Sequence, residues 1–254
     1  MRTTIHYLLL IAMRDRFLVT LAGFLLLAGL VSRFIGDSAI VETNAAALAF
    51  AGAAVRLILV VGVVLFVAVH IGRMYDNREM EVLLSRPLSR PQVILGLFLG
   101  FFAVALLLAG LAVAAVLIAG QPVPAGLLLW GASLVGETAI MTGVSVYFTL
   151  VLRGTITAAL ISLAFYVLAR LIGLMLGMAA GKLALVHGIA GHFEDGMVTA
   201  VSVAVPRLDL FAQTHWLVYG PSGRAVEWTI LAQTAIYPPL VLAAAAYDFR
   251  RRNL

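Results

Sequence analysis

Apolar residues in this chain do not alternate with polar ones. They run almost unbroken for about twenty positions at a time, and they do so six times: Phe17–Phe34, Phe50–Ile71, Val93–Ala119, Ala125–Leu152, Thr155–Met178 and Trp228–Tyr247. A helix that crosses the hydrocarbon of a bilayer needs about 20 such residues, with a range near 17–25. Strands of a membrane barrel would instead alternate over roughly ten residues. The pattern therefore predicts an all-α membrane protein with six transmembrane helices. The third and fourth runs are long enough to imply tilt or extension beyond the hydrocarbon. A shorter apolar run, Ile5 to Met13, precedes them and is broken by Arg14-Asp15-Arg16 with no small-residue cleavage site after it. That is the pattern of a helix lying on the membrane surface over residues 1–16 rather than of a signal peptide.

The polar segments between the runs differ in kind. Residues 35–49 form a modest loop, Gly120–Pro124 a tight turn and Arg153-Gly154 a minimal one. Residues 179–227 form a long segment whose apolar stretch, Met197–Val205, is too short to span and reads as re-entrant or interfacial. The arginines and lysines set the orientation. With both termini inside, eleven of them (Arg2, Arg14, Arg16, Arg73, Arg78, Arg86, Arg90, Arg153 and Arg250 to Arg252) fall on the inner side, against six elsewhere. By the positive-inside rule both termini are cytoplasmic.

Composition agrees with the pattern: 63% of residues are hydrophobic and 11% charged, where soluble domains average about 45–50% and about 25%. The net charge of +5 comes from arginines at span ends, which orient spans and do not form a nucleic-acid surface. There is no cysteine, so no disulfide framework and no thiolate metal site is expected.

One polar segment is unlike the rest. Residues 72–100 read GRMYDNREMEVLLSRPLSRPQVILGLFLG, where charges of both signs crowd between two spans. Tyr75, Met80, Leu83 and Leu84 can share one face of a short helix, with Asp76, Asn77, Arg78 and Glu81 on the other. Pro87 ends that helix by disfavouring helical geometry at Arg86. Ser89 and Pro91 suit the opening of the next one. The spacing fits a surface helix clamped by two prolines, and equally a solvated connection that happens to be charged.

The same run, NREMEVLLSRPLSRPQVILGLFLG, resembles the first cytoplasmic loop of the permease subunits of type-2 ATP-binding-cassette (ABC) exporters. That family shows an acidic stretch, a Leu-Leu-x-x-Pro-x-Ser-Arg core and a Gly-Lys-Phe opening to the third span. Glu79, Glu81, Leu83, Leu84, Arg86, Pro87, Ser89, Arg90, Gly96 and Phe98 occupy the matching positions; Leu97 stands where a lysine is common, and Met80 interrupts the acidic stretch. The resemblance implies one transmembrane permease domain over 1–254. Residues 72–91 would be a coupling helix seated on a separate ATPase subunit, in which ATP and Mg reside. Glu79, Glu81, Leu83, Leu84, Arg86, Pro87, Ser89 and Arg90 would be its docking residues, with the leucines as anchor and the charges as register. It further implies a second permease copy as homodimer partner, an export path between the copies, and residence among the lipids of a bacterial inner membrane. The chain itself contains no G-x-x-x-x-G-K-[ST] phosphate loop, so it is expected to hold no cofactor and not to be an enzyme.

Two charges fall inside spans. Glu137 lies 16 residues before Arg153, and Arg170 lies 16 after Gly154; in an antiparallel hairpin rising about 1.5 Å per residue that places them at equal depth. A charge at the bilayer centre costs about 2.5–3.5 kcal/mol on insertion scales, so the two are expected to form a structural ion pair inside the bundle, with a place on a substrate pathway as the alternative reading. Arg56, nearer the outer end of its span, reads as a headgroup anchor. Gly173, Gly177 and Gly181, and likewise Gly96 and Gly100, have the small-residue spacing of close helix contacts, within one subunit or between two. In the outer segment, His187 and His192 are weak metal candidates at best, because their spacing does not reproduce H-E-x-x-H and solvated loop groups explain them as well. The stretch Pro206–Phe211 with Tyr219-Gly220-Pro221 has the look of a structured lid. Two other classes remain open: a polytopic enzyme acting on lipid-linked substrates, which would need a polar catalytic cluster, and a proton-coupled transporter using Glu137.

Overall fold

The structure is a computed structural model, and it describes residues 15–40, 42–80, 89–152, 154–182, 205–221 and 223–251. Six helices among these are long and apolar enough to cross a membrane: α1 (Arg16–Asp37), α2 (Thr43–Asp76), α3 (Arg90–Ala119), α4 (Pro124–Leu152), α5 (Thr155–Lys182) and α7 (Arg224–Arg251). A single turn, α6 (Trp216–Tyr219), belongs to the segment that joins α5 to α7. The protein is thus an all-α multi-pass membrane protein. With six crossings, the ends at Arg16 and Arg251 share one face of the bundle, called here the terminal face.

The helix limits follow from local chemistry. Asp15 caps α1, its Oδ1 accepting from Phe17 N at 2.8 Å. After Asp76 the chain turns through Asn77 and Arg78, and Arg78 takes a left-handed backbone (φ 58°) that cannot continue a helix. α3 opens on Ser89, whose amide donates to Gln92 Oε1 at 3.0 Å, with Pro91 in the first turn.

α4 is the axis of the fold. It packs against α2, α3, α5, α6 and α7, while α1 lies outside against α2 and α3. From Gly136 to Val146 every α4 residue is buried, although Glu137, Thr138, Thr142 and Ser145 are polar. Thr142 donates to Thr138 O at 2.6 Å and Ser145 to Val64 O of α2 at 3.1 Å, so hydroxyls in hydrocarbon satisfy themselves on backbone carbonyls. Small residues set the helix separations. A Cβ on Gly29 of α1 would strike the Ala115 carbonyl of α3, and one on Gly62 of α2 would press into the Leu21 side chain of α1.

Several expected boundaries move. The loop expected over 35–49 shrinks to residues 38–42, because the Ala-rich start of α2 is helical from Thr43. The loop expected over 72–91 loses residues 72–76 to α2 and Arg90 and Pro91 to α3; a helix need not be apolar where it leaves the hydrocarbon. The segment expected over 179–227 is shortened by α5, which runs to Lys182, and by α7, which starts at Arg224. The expected surface helix over 1–16 and the re-entrant stretch Met197–Val205 fall almost wholly outside the described residues.

What is described of the segment between α5 and α7, 205–221, is inserted into the bundle. Leu208, Phe211, Trp216 and Leu217 are buried, and Val123 N donates to Leu217 O at 2.9 Å. A Cβ on Gly126 of α4 would collide with the Trp216 carbonyl. We predict that Gly126→Ala lowers the melting temperature by about 5 °C, the size of an overpacking cost of 1–3 kcal/mol in a chain of this length. Gly110→Ala, whose Cβ would meet nothing within 4 Å, should leave it unchanged; equal melting temperatures for the two variants would refute this seating of the segment.

Candidate functional site

Three charged side chains from three helices meet inside the bundle. Arg56 of α2 is 1% exposed and Glu137 of α4 is fully buried. Arg56 Nη1 donates to Glu137 Oε2, while Arg170 Nη1 of α5 donates to Glu137 Oε1 at 3.3 Å. Both oxygens of one carboxylate are therefore taken, each by a guanidinium from a different helix. The Glu137–Arg170 contact inferred from equal depth is present, and a second arginine joins it.

Arg56 is consequently not a headgroup anchor. Its Nη2 donates to Ser133 Oγ at 3.0 Å and to Trp130 O at 3.3 Å, and its guanidinium lies 5.0 Å from the Trp130 ring centre. The misplacement came from starting the second span at Phe50. Counted from the true start at Thr43, Arg56 is 13 residues in, and Glu137 is 13 residues in from Pro124. Both starts lie on the face opposite the termini, so the two groups share a depth of about 20 Å. Ser133 and Trp130 have no charge to draw notice in the sequence; only their position one turn and two turns before Glu137 marks them.

The cluster reaches the inserted segment 205–221 directly. Ser133 Oγ lies 3.0 Å from Phe211 O as well as 2.7 Å from Trp130 O, its single hydrogen shared between them. Asp209 rests against Gly173, one turn along α5 from Arg170, and is paired with Arg207 at 2.9 Å. The Arg207 amide donates to Gln233 Oε1 of α7 at 2.9 Å. Residues 205–211 thus bridge α5 and α7, which do not touch each other among the described residues. The lid expected over Pro206–Phe211 is a wedge held at membrane depth, where irregular backbone survives only when buried in protein.

The terminal face carries a second polar group. Asp15 Oδ2 stands 3.4 Å from His70 Nε2 and 3.5 Å from Arg73 Nη1, tying the start of α1 to α2. Next to it, Glu79 is exposed and accepts from Asn77 Nδ2 at 3.4 Å, while Met80 is buried in the core. Ser89 and Arg90 sit where α3 begins. Glu81, Leu83, Leu84, Arg86 and Pro87 lie outside the described residues, as do His187 and His192. Among the described residues no three His, Asp or Glu side chains gather as a metal site would require.

No protein-family model and no curated protein matches this chain.

Removing one member of a buried charge group leaves its partner unpaired, at about 3–5 kcal/mol. We predict that Glu137→Gln and Arg56→Gln each lower the melting temperature in detergent by about 10 °C or abolish folding. Arg170→Gln, at a partly exposed position, should cost less. A thermal melt in which Arg56→Gln matches the wild type would show that the cluster contributes nothing to stability.

Proposed function

We propose that the chain is the transmembrane subunit of an ABC transporter. Two copies form an export path, and separate ATPase subunits dock on the loop between α2 and α3. The observation that carries this reading is the Glu79–Phe98 run, with its Leu-Leu-x-x-Pro-x-Ser-Arg core. Three features support it: the described ends of this loop lie on the terminal face, the helices on either side of it are long and continuous, and the chain has no phosphate loop of its own. On this reading the terminal face is cytoplasmic, as the arginine distribution requires, and the membrane is a bacterial inner membrane.

The mechanism follows from rigidity. Closure of the ATPase subunits on ATP displaces the loop. Because α2 and α3 are continuous helices from the loop to the opposite face, the displacement moves both as units. The proton-coupled alternative loses support, since Glu137 is fully buried and both its oxygens are occupied by arginines. The lipid-enzyme alternative gains no catalytic cluster among the described residues.

The test is association. Co-expression with the ABC ATPase subunits of the source genome, followed by affinity purification, should recover a complex with one of them. Leu83→Asp with Leu84→Asp should reduce the recovered ATPase at least about tenfold, as loss of a central apolar anchor does, while the permease still elutes as a folded species. Undiminished recovery from the double variant would defeat the proposal.

A further inference from the structure

The charge cluster is not neutral: two arginines share one glutamate. Arg56 is fully buried with hydrogen bonds to Glu137, Ser133 and Trp130, but Arg170 is placed differently. Its side chain is 30% exposed and it spends one hydrogen bond, to Glu137. Its guanidinium otherwise lies 5.6 Å from the ring centre of Tyr166, whose buried hydroxyl makes no hydrogen bond in good geometry. The other nearby carboxylate, Asp209, is held by Arg207 through Oδ2, and its Oδ1 is buried without a hydrogen bond to Arg170 or any other described group.

Arg170 stands 15 residues into α5 from Thr155, about 22 Å along the helix axis and so well inside a 30 Å hydrocarbon layer. At that depth an accessible guanidinium faces a protein-lined path or binds an anion; it is not left to lipid tails. It sits on the flank of the buried stripe of α5. The residues beside it on the open face are apolar and exposed: Leu160, Val167 and Leu171 at 62%, 53% and 45%. A single cation with unspent donors, bordered by an apolar helix face, is complementary to one kind of molecule: an acidic head on an apolar tail. A second copy of the chain is a poorer complement, because the one carboxylate within its described spans at this depth, Glu137, is fully enclosed.

We propose that Arg170 and the open face of α5 bind an anionic amphiphile, the head on the guanidinium and the tail along Leu160, Val167 and Leu171, and that this is the class of cargo the transporter moves. The cargo assignment rests on the transport reading above; the binding site does not, and its test needs no ATPase.

The probe is a doxyl-labelled stearate, compared with its methyl ester, which has the same tail without the charge. Both are added to the full chain in neutral phosphatidylcholine nanodiscs at a pH that keeps the carboxylate ionised. The immobilised fraction is read by electron paramagnetic resonance. The acid should bind about tenfold more tightly than the ester, as expected for a charge-assisted contact. Arg170→Gln should bring the ratio close to one, and Arg33→Gln, on the distant face of α1, should leave it intact. Should Arg170→Gln not fold, Val167→Glu serves instead. It places a carboxylate one turn from Arg170 while sparing the Glu137 contact, and it too should abolish the preference. Equal binding of acid and ester by the wild type overturns the assignment. So does an unchanged preference in both variants, or no binding of either probe because a second copy covers the face. Loss of ATPase association with the acid preference intact would remove the transport reading and leave the site.

Discussion

A carboxylate shared by two guanidiniums in the middle of a membrane is the constraint on which the rest of this fold turns. In water the same contact would contribute little, since solvent screens it and each partner is content alone. Inside hydrocarbon no partner can be released without exposing an unpaired charge. Arg56, Glu137 and Arg170 therefore fix α2, α4 and α5 relative to one another in depth as well as in separation. Apolar packing alone does not do this, because lipid tails are as good a neighbour for leucine as another helix is.

The second constraint is the wedge over 205–221, and it depends on the first. Ser133 accepts from Arg56 and stands against Phe211 O, so the orientation of the guanidinium also positions the hydroxyl that receives the wedge. Small residues complete the seat: Gly126 admits the Trp216 carbonyl, Gly136 admits Phe211 and Gly173 admits Asp209. Each of these glycines lies on α4 or α5. Two of the three helices that carry the charges, α4 and α5, thus also carry the cavities for the wedge.

Much of this was legible in the sequence, for physical reasons that also explain what was not. Six spans are visible because hydrocarbon imposes length and apolarity on consecutive residues. The contact of Glu137 with Arg170 is visible because a minimal turn at Arg153-Gly154 makes separation along the chain equal to depth. Arg56 was misread because its helix has no such turn beside it. The start of α2 is rich in alanine and begins with Thr43 and Asn44, so hydropathy places its end seven residues late. Trp130 and Ser133 could not be picked out at all, since an uncharged residue in a span has nothing in its own identity to say which neighbour it meets. Gly173 was seen as part of a glycine repeat suited to helix contact, whereas its neighbour is the side chain of Asp209 from a loop.

On the proposed reading, one element links the ATPase to the charge cluster. α2 begins on the face opposite the termini, carries Arg56, and ends at Asp76 immediately before the docking loop. It has no proline and no break over its 34 residues, and its bonds to Asp15 through His70 and Arg73 stand near its Asp76 end, with Arg56 20 residues back from that end. A helix of this kind transmits rotation and translation but does not absorb them. Tilting it at the loop moves Arg56 relative to Glu137, which is anchored on α4, and a fully buried ion pair yields less readily than the partly exposed one across the same carboxylate. The yielding contact is then Arg170, on the helix whose outer flank is open. Movement imposed at the docking loop is thereby directed to the one cation of the cluster that an incoming anion can reach.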